Sequence, residues 1–331
     1  MNNNREWIKN GCATEEISDS IDIKNEILKL KKDKNAVIMA HFYQNDDIQD
    51  IADVVGDSLV LAQEASKTDA DIILLAGVYF MGETAKILSP QKKVLIPDLN
   101  AGCSLADSCP ADDFAEFKKK YPNHIVVSYV NTTADVKALS DIIVTSTNAV
   151  DIINSIPEDQ PILFGPDKNL GNYLQSLTGR EMILWNGACH VHEQFSLEKI
   201  VELKKQFPKA KLIAHPECKK PLLIMADFIG STAALLKYTK ENNFDQFIVA
   251  TESGILHQMK KYSPKKQFIP APPNDSTCAC NDCEFMKLNT LKKIYLSLKH
   301  EFPEVNIDEN IRIKAVKPIQ RMLDISAKFK L

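Results

Sequence analysis

No run of this chain is long and apolar enough to span a bilayer. The longest, "IILLAGVYFMG" from Ile72, falls well short of the about 20 residues a spanning helix needs. The N-terminal "MNNNREWIKNGCATEEISDS" is polar and acidic and lacks the apolar core of a secretory signal. Charge of one sign is missing too: 40 Lys and Arg stand against 44 Asp and Glu, a net charge of −4. That balance argues against nucleic acid or a membrane surface as a partner. A cytoplasmic location is expected. In that reducing compartment the eight cysteines are not expected to form disulfides. No low-complexity linker divides the chain, and the prolines are scattered. What is present is ordinary globular composition, with 331 residues, 44% of them hydrophobic and 25% charged. That length allows two or three domains.

The chain repeats itself three times. The first copy runs "NAVIMAHFYQ", "ADVVGDSLVLAQEA", "DIILLAGVYFMGETAKIL" and "KKVLIPDLNAGCSL". The second runs "HIVVSYVNTT", "LSDIIVTSTNAVDII", "QPILFGPDKNLGNYL" and "REMILWNGACHVH". The third runs "AKLIAHPECKK", "IMADFIGSTAALLKY", "DQFIVATESGILHQM" and "KKQFIPAPPNDSTCACNDC". His41, Tyr129 and His215 are 88 and 86 residues apart, and Ser58, Ser146 and Ser231 are 88 and 85 apart. These periods exceed those of solenoid units, so the copies are expected to be domains. Short, continuously apolar runs such as "NAVIMA", "DIILLA" and "KVLIP" read as strands buried on both faces of a parallel sheet. Helix-period stretches such as "GDSLVLAQEASK" and "STAALLKYTKEN" lie between them. The alternation predicts α/β domains with helices on both sheet faces and binding residues at the carboxyl ends of strands. The expected boundaries are 22–109, 110–195 and 196–283, with the helical segment 284–331 packed back on the first copy.

Polar residues recur at matched places. Each first strand ends on a pair: His41 and Tyr43, Tyr129 and Asn131, His215 and Glu217. Positions i and i+2 of a strand face the same way, so each pair can project into one cavity. Each second strand gives way to a helix through Ser58, Ser146, or Ser231 with Thr232. These residues are expected to cap helix N-termini, which are natural anion sites. Each fourth strand ends near a cysteine: Cys103, Cys189, and one of Cys278, Cys280 or Cys283. If the three domains pack around a pseudo-threefold axis, one thiolate from each would converge on a common point. Three cysteines suit a [4Fe–4S] cluster with one open iron. A Cys₃His zinc site using His190 or His192 is the alternative.

These stretches carry a resemblance to the quinolinate synthase family over residues of about 22 to 325. It rests on "AHFYQ", "GVYFMGETAKILSP", "PDLNAGCSLADSC", "VSYVNTTADVKALSD", "GPDKNLGNYL", "HPEC", "GSTAALL", "ATESGILHQM" and "CEFMKLNTL". The resemblance implies an α/β fold of three homologous αβα domains with parallel sheets around a pseudo-threefold axis. It implies condensation of iminosuccinate (iminoaspartate) with dihydroxyacetone phosphate, in de novo NAD biosynthesis, giving quinolinate, phosphate and water. It places the [4Fe–4S] ligands on Cys103, Cys189 and Cys283, the last through "CEFMKL". The chain has CxCxxC where some members have CxxCxxC, which puts a redox role for Cys278 and Cys280 in doubt. Cys12, Cys109 and Cys218 are expected to be bystanders. The implied substrate cavity is lined by His41, Tyr43, Ser58, Tyr129, Asn131, Ser146, His215, Glu217, Ser231 and Thr232. Glu217 is expected to be the base, with His215 and His41 shuttling protons near neutral pH and Tyr43 donating to a leaving hydroxyl. A transient contact with the aspartate oxidase or dehydrogenase that makes the imine is the partner expected besides the substrates. Rival readings are an oxygen-sensing regulator, which would need a DNA-binding module, and a zinc hydrolase.

Overall fold

The β-branched runs do form strands, and every long one is parallel to its neighbours. A computed structural model describes residues 8–9, 11–274 and 281–330. A short antiparallel pair comes first, β1 (Ile8–Lys9) with β2 (Cys12–Ala13). The first sheet contains β3 (Ala36–His41), β4 (Val54–Gly56), β5 (Ile72–Ala76) and β6 (Lys93–Leu95). The second contains β7 (Ile125–Tyr129), β8 (Ile142–Val144), β9 (Ile162–Gly165) and β10 (Met182–Leu184). The third contains β11 (Lys211–Ala214), β12 (Phe228–Ile229), β13 (Gln246–Ala250) and β14 (Gln267–Pro270). The protein is thus α/β, with three four-stranded parallel sheets.

All three sheets share one order. The second strand lies on the outer edge, then the first, the third and the fourth: β4-β3-β5-β6, β8-β7-β9-β10 and β12-β11-β13-β14. The chain therefore winds in opposite directions from the first strand, and a crevice opens at the carboxyl ends where the direction switches. β5 is buried at all five positions, which is why its sequence is uniformly apolar and does not alternate.

One device recurs that the sequence reading did not single out. An aspartate just before each second strand accepts a backbone N–H from the first strand. Asp53 takes that of Ile38 at 2.9 Å, Asp141 that of Val126 at 2.8 Å and Asp227 that of Leu212 at 2.8 Å. The backbone N–H of each aspartate returns a bond to the same residue's carbonyl. The edge strand is thereby locked in register with the central one.

Two compact units result. One holds the chain up to Cys103 together with Glu284–Arg312; the other holds Ser104–Cys283 and the chain from Ile313. In the first, Ile38, Leu74 and Leu95 pack against Ile27, Ile294 and Leu298, so the helix Leu291–His300 covers the first sheet. The remainder of the C-terminal segment groups with the second unit, where the Asn148 side chain donates to Ser326 Oγ at 2.9 Å. There, Leu212, Ala214, Ile248 and Ala250 form one core with Ile200 and Leu222, and Val126 and Leu163 form another with Phe114.

Candidate active site

In the second unit, β7 ends on Tyr129 and β11 runs into His215 and Glu217. The Tyr129 hydroxyl donates to Glu217 Oε1 at 2.7 Å. His192 Nδ1 lies 3.0 Å from Glu217 Oε2, and its Nε2 lies 3.0 Å from Thr251 Oγ1. The His192 and His215 rings stack with centroids 4.8 Å apart, and His215 Nε2 lies 3.2 Å from Ser146 Oγ. Tyr129, His192, His215 and Glu217 are each less than 5% exposed. His215 and Glu217 lie in the turn that follows β11 rather than on the strand itself, and there His215 Nδ1 accepts the Glu217 backbone N–H at 3.4 Å. His192, named from the sequence only as an alternative zinc ligand, sits inside this network.

Burial by itself would raise the Glu217 carboxyl. The neighbouring His192 and His215 imidazoles and the Tyr129 hydroxyl outweigh it and hold the group down at about 2. Burial pushes the His215 imidazole down to about 3, so it is neutral at pH 7, whereas a shuttle near neutral pH needs a group that titrates there. Burial and the charge of Glu217 push Asp167 up to about 7.

The expectation that three hydroxyl residues cap helices is corrected at two of them. Ser231 does cap the helix Thr232–Glu241, accepting the Ala234 N–H at 3.2 Å, and it receives a bond from Thr147 Oγ1 at 2.8 Å. Asp57 caps the helix Ser58–Lys67, because its carboxylate accepts two N–H groups, from Leu59 and Val60; Ser58 is the first helical residue. Ser146 stands before Asn148, which precedes the helix Ala149–Ser155 and turns its side-chain oxygen back to the Thr145 N–H. Both serines are half-buried. Thr232 is buried. The Asn131 carboxamide oxygen is buried with no protein partner. Its loop is held from behind by the buried Lys137, whose Nζ donates to the Thr132 carbonyl.

In the first unit, β3 ends on buried His41, whose Nδ1 accepts the Tyr43 backbone N–H at 3.2 Å. The two rings meet edge to face with centroids 4.5 Å apart. Lys287 Nζ donates to the Tyr43 carbonyl at 2.9 Å and fixes the turn.

The cysteines fall into two groups. Cys12, Cys109 and Cys218 are buried, and burial pushes Cys109 up to about 12 and Cys218 well above the ordinary thiol. Such thiols stay protonated and make poor ligands. Cys103, Cys189 and Cys283 are half-buried. Cys103 ends its stretch of the first unit, while Cys189 and Cys283 belong to the second. Cys278 and Cys280 lie outside the described residues. Ser104, the residue after Cys103, has its Oγ 2.6 Å from Nδ1 of His190, the residue after Cys189. The ligand atoms of Cys189, His192 and Glu217 lie within 4.8 Å of one another and could hold a metal ion. No helix among the described residues is long and apolar enough to cross a membrane.

Parallel α/β domains with polar groups gathered at the strand ends, and a thiol beside them, define an enzyme-type site that can take a metal. Comparison with known proteins narrows the class. The family described as quinolinate synthetase A protein matches residues 25–324. Proteins called quinolinate synthase from Gloeothece citriformis and Chloroherpeton thalassium are 59% and 58% identical, each over 92% of this chain and 94% and 95% of their own lengths. That of Nostoc punctiforme is 60% identical over 92% of this chain and 94% of its own. The chain belongs to the quinolinate synthetase A family, a family of enzymes.

Proposed function

We propose that this chain makes quinolinate by condensing iminosuccinate with dihydroxyacetone phosphate, releasing phosphate and two waters. The observation that carries the reading is family membership across residues 25–324. Three homologous αβα domains, bounded as the repeats suggest and arranged about a pseudo-threefold axis, would bring Cys103, Cys189 and Cys283 together. These three are the described cysteines that are only partly buried, which supports them as ligands of a [4Fe–4S] cluster. The Ser104–His190 contact supports it as well. Bound there, the cluster would supply one open iron as a Lewis acid for loss of water.

The protein side follows from the side chains. Both substrates are anions. Ser231 and Thr232 open a ten-residue helix, and its N–H groups can hold a carboxylate or phosphate. Asn131, Tyr129, Ser146, Ser58, His41 and Tyr43 add hydrogen bonds. Glu217 is ionised and so able to accept a proton. A substrate that draws the Tyr129 hydroxyl and His192 towards itself leaves burial unopposed and raises the carboxylate's basicity. Neutral His215 can relay a hydrogen bond between Ser146 and the substrate.

A single zinc held by Cys189, His192 and Glu217 is the second reading, favoured by their proximity. Against it, Glu217 Oε1 already accepts the Tyr129 hydroxyl. Anaerobic purification with iron, sulfide and zinc analysis separates the two. About four irons and four sulfides per chain are expected for a [4Fe–4S] cluster. Cys103→Ala, Cys189→Ala and Cys283→Ala should each lose the absorbance, and Cys278→Ala and Cys280→Ala should retain it. Zinc without sulfide, or no quinolinate from the two substrates, overturns the proposal.

A further inference from the structure

Two buried carboxylates do the same thing in the second and third repeats. Asp167 follows β9 directly after Pro166, and its Oδ2 accepts the Cys189 backbone N–H at 2.9 Å. Glu252 follows β13, and its Oε1 accepts the Cys283 backbone N–H at 3.2 Å. The other oxygen of each bonds the start of its own helix. Asp167 Oδ1 takes the N–H groups of Asn169 at 2.6 Å and Leu170 at 3.0 Å. Glu252 Oε2 takes that of Gly254 at 2.7 Å. Both side chains are fully buried. They occupy matching places in "GPDKNLGNYL" and "ATESGILHQM", 85 residues apart. The first repeat has Val78 at that place, and there the Tyr79 backbone N–H reaches the Ala101 carbonyl instead.

A buried carboxylate is costly unless its hydrogen bonds are made. Its repetition in two copies, each time on a cysteine that is a proposed ligand, is more than a helix cap requires. A serine or threonine would cap as well. The second oxygen is what reaches the cysteine.

We propose that Asp167 and Glu252 are matched positioning residues that anchor the Cys189 and Cys283 loops and deny those two N–H groups to the ligand sulfurs. The proposal rests on the cluster reading for its second half only. An N–H that bonds a ligand sulfur makes a cluster easier to reduce, and so does removal of nearby negative charge. Each anchor takes the donor away from the sulfur. Together they hold the centre in its oxidised form, the form a Lewis acid needs.

The test uses full-length protein purified anaerobically, with Asp167→Ser and Glu252→Ser, the second too short to reach Cys283. Serine keeps an N-cap for the helix Lys168–Thr178 but cannot reach Cys189. Hydrogen exchange read on peptides spanning Cys189 and Cys283 should rise at least tenfold at the Cys189 peptide in D167S and at the Cys283 peptide in E252S. Each variant is the internal control for the other. In parallel, the cluster midpoint potential should move in the positive direction, and iron should leave faster to a chelator. Unchanged exchange at the cysteine peptides, or an equal rise across the whole chain, overturns the anchoring whatever metal is present. Site-selective exchange with an unmoved midpoint overturns the electronic half. Site-selective exchange in a protein that holds no iron and sulfide upholds the anchors and removes the cluster reading.

Discussion

Replacing Tyr129 by phenylalanine deletes one atom from the centre of the site. The ring stays in place at the end of β7, so little packing is lost. The missing hydroxyl is the one that donates to Glu217 Oε1 at 2.7 Å, in a setting where the carboxylate is 3% exposed. A hydrogen bond to a charged, buried acceptor is worth about 1.5–3 kcal/mol. For a unit of this size that lowers the melting temperature by roughly 3–12 °C, at about 2–4 °C per kcal/mol. Calorimetry on as-purified protein at pH 7.0 and 5.5 reads the difference. Its sign with pH follows from Glu217, whose folded value of about 2 is below its ordinary one. Stability from that carboxylate is complete above an unfolded value near 4.3 and is lost as pH falls towards the folded value. The gap between the two proteins should therefore be equal at both pH values and narrow only below about pH 4. A melting temperature within about 1 °C of the parent at pH 7.0 would refute the reasoning, because a bond of this kind cannot be removed for so little.

Three further outcomes are expected. Glu217→Gln should keep its metal content yet lose at least about 100-fold in kcat, the usual scale for removing a base; unaltered turnover removes Glu217 from that role. Gly165→Ala should destabilise by about 1–3 kcal/mol, since a Cβ there would meet the Trp185 Cβ at 2.3 Å and neither can rotate away; a urea midpoint like the parent's argues that β9 and β10 separate easily. Asp227→Asn should cost about 0.5–1.5 kcal/mol at pH 7. Burial would raise that carboxyl, but the Leu212 N–H and the Lys211 and Lys204 ammonium groups hold it below its ordinary value. Its stabilisation is thus present above about pH 4 and lost on acidification, so the variant and parent should converge in acid melts.

Much of the architecture was legible without coordinates. Continuously apolar runs such as "DIILLA" could only be strands covered on both faces, and the helix-period stretches between them forced parallel connections. The triplication showed which polar residues stand at strand ends, because matched positions in a repeat occupy matched places in the fold. Periodicity carries this information since it depends on near neighbours alone. The caps were harder. Asp57 competes with Ser58 for the same N–H groups, and adjacent residues of similar capping strength cannot be ranked from the string.

The sequence alone determined the parallel α/β class, the three copies, the family resemblance and the short list of cysteines and strand-end residues. Only the tertiary structure decided that Glu217 meets Tyr129 from 88 residues away, that His192 completes the group and that Asp167 and Glu252 grip two cysteine loops. Those contacts join residues far apart in the chain. Their partners are chosen by how strands and loops pack in space, which no local pattern of residue types encodes.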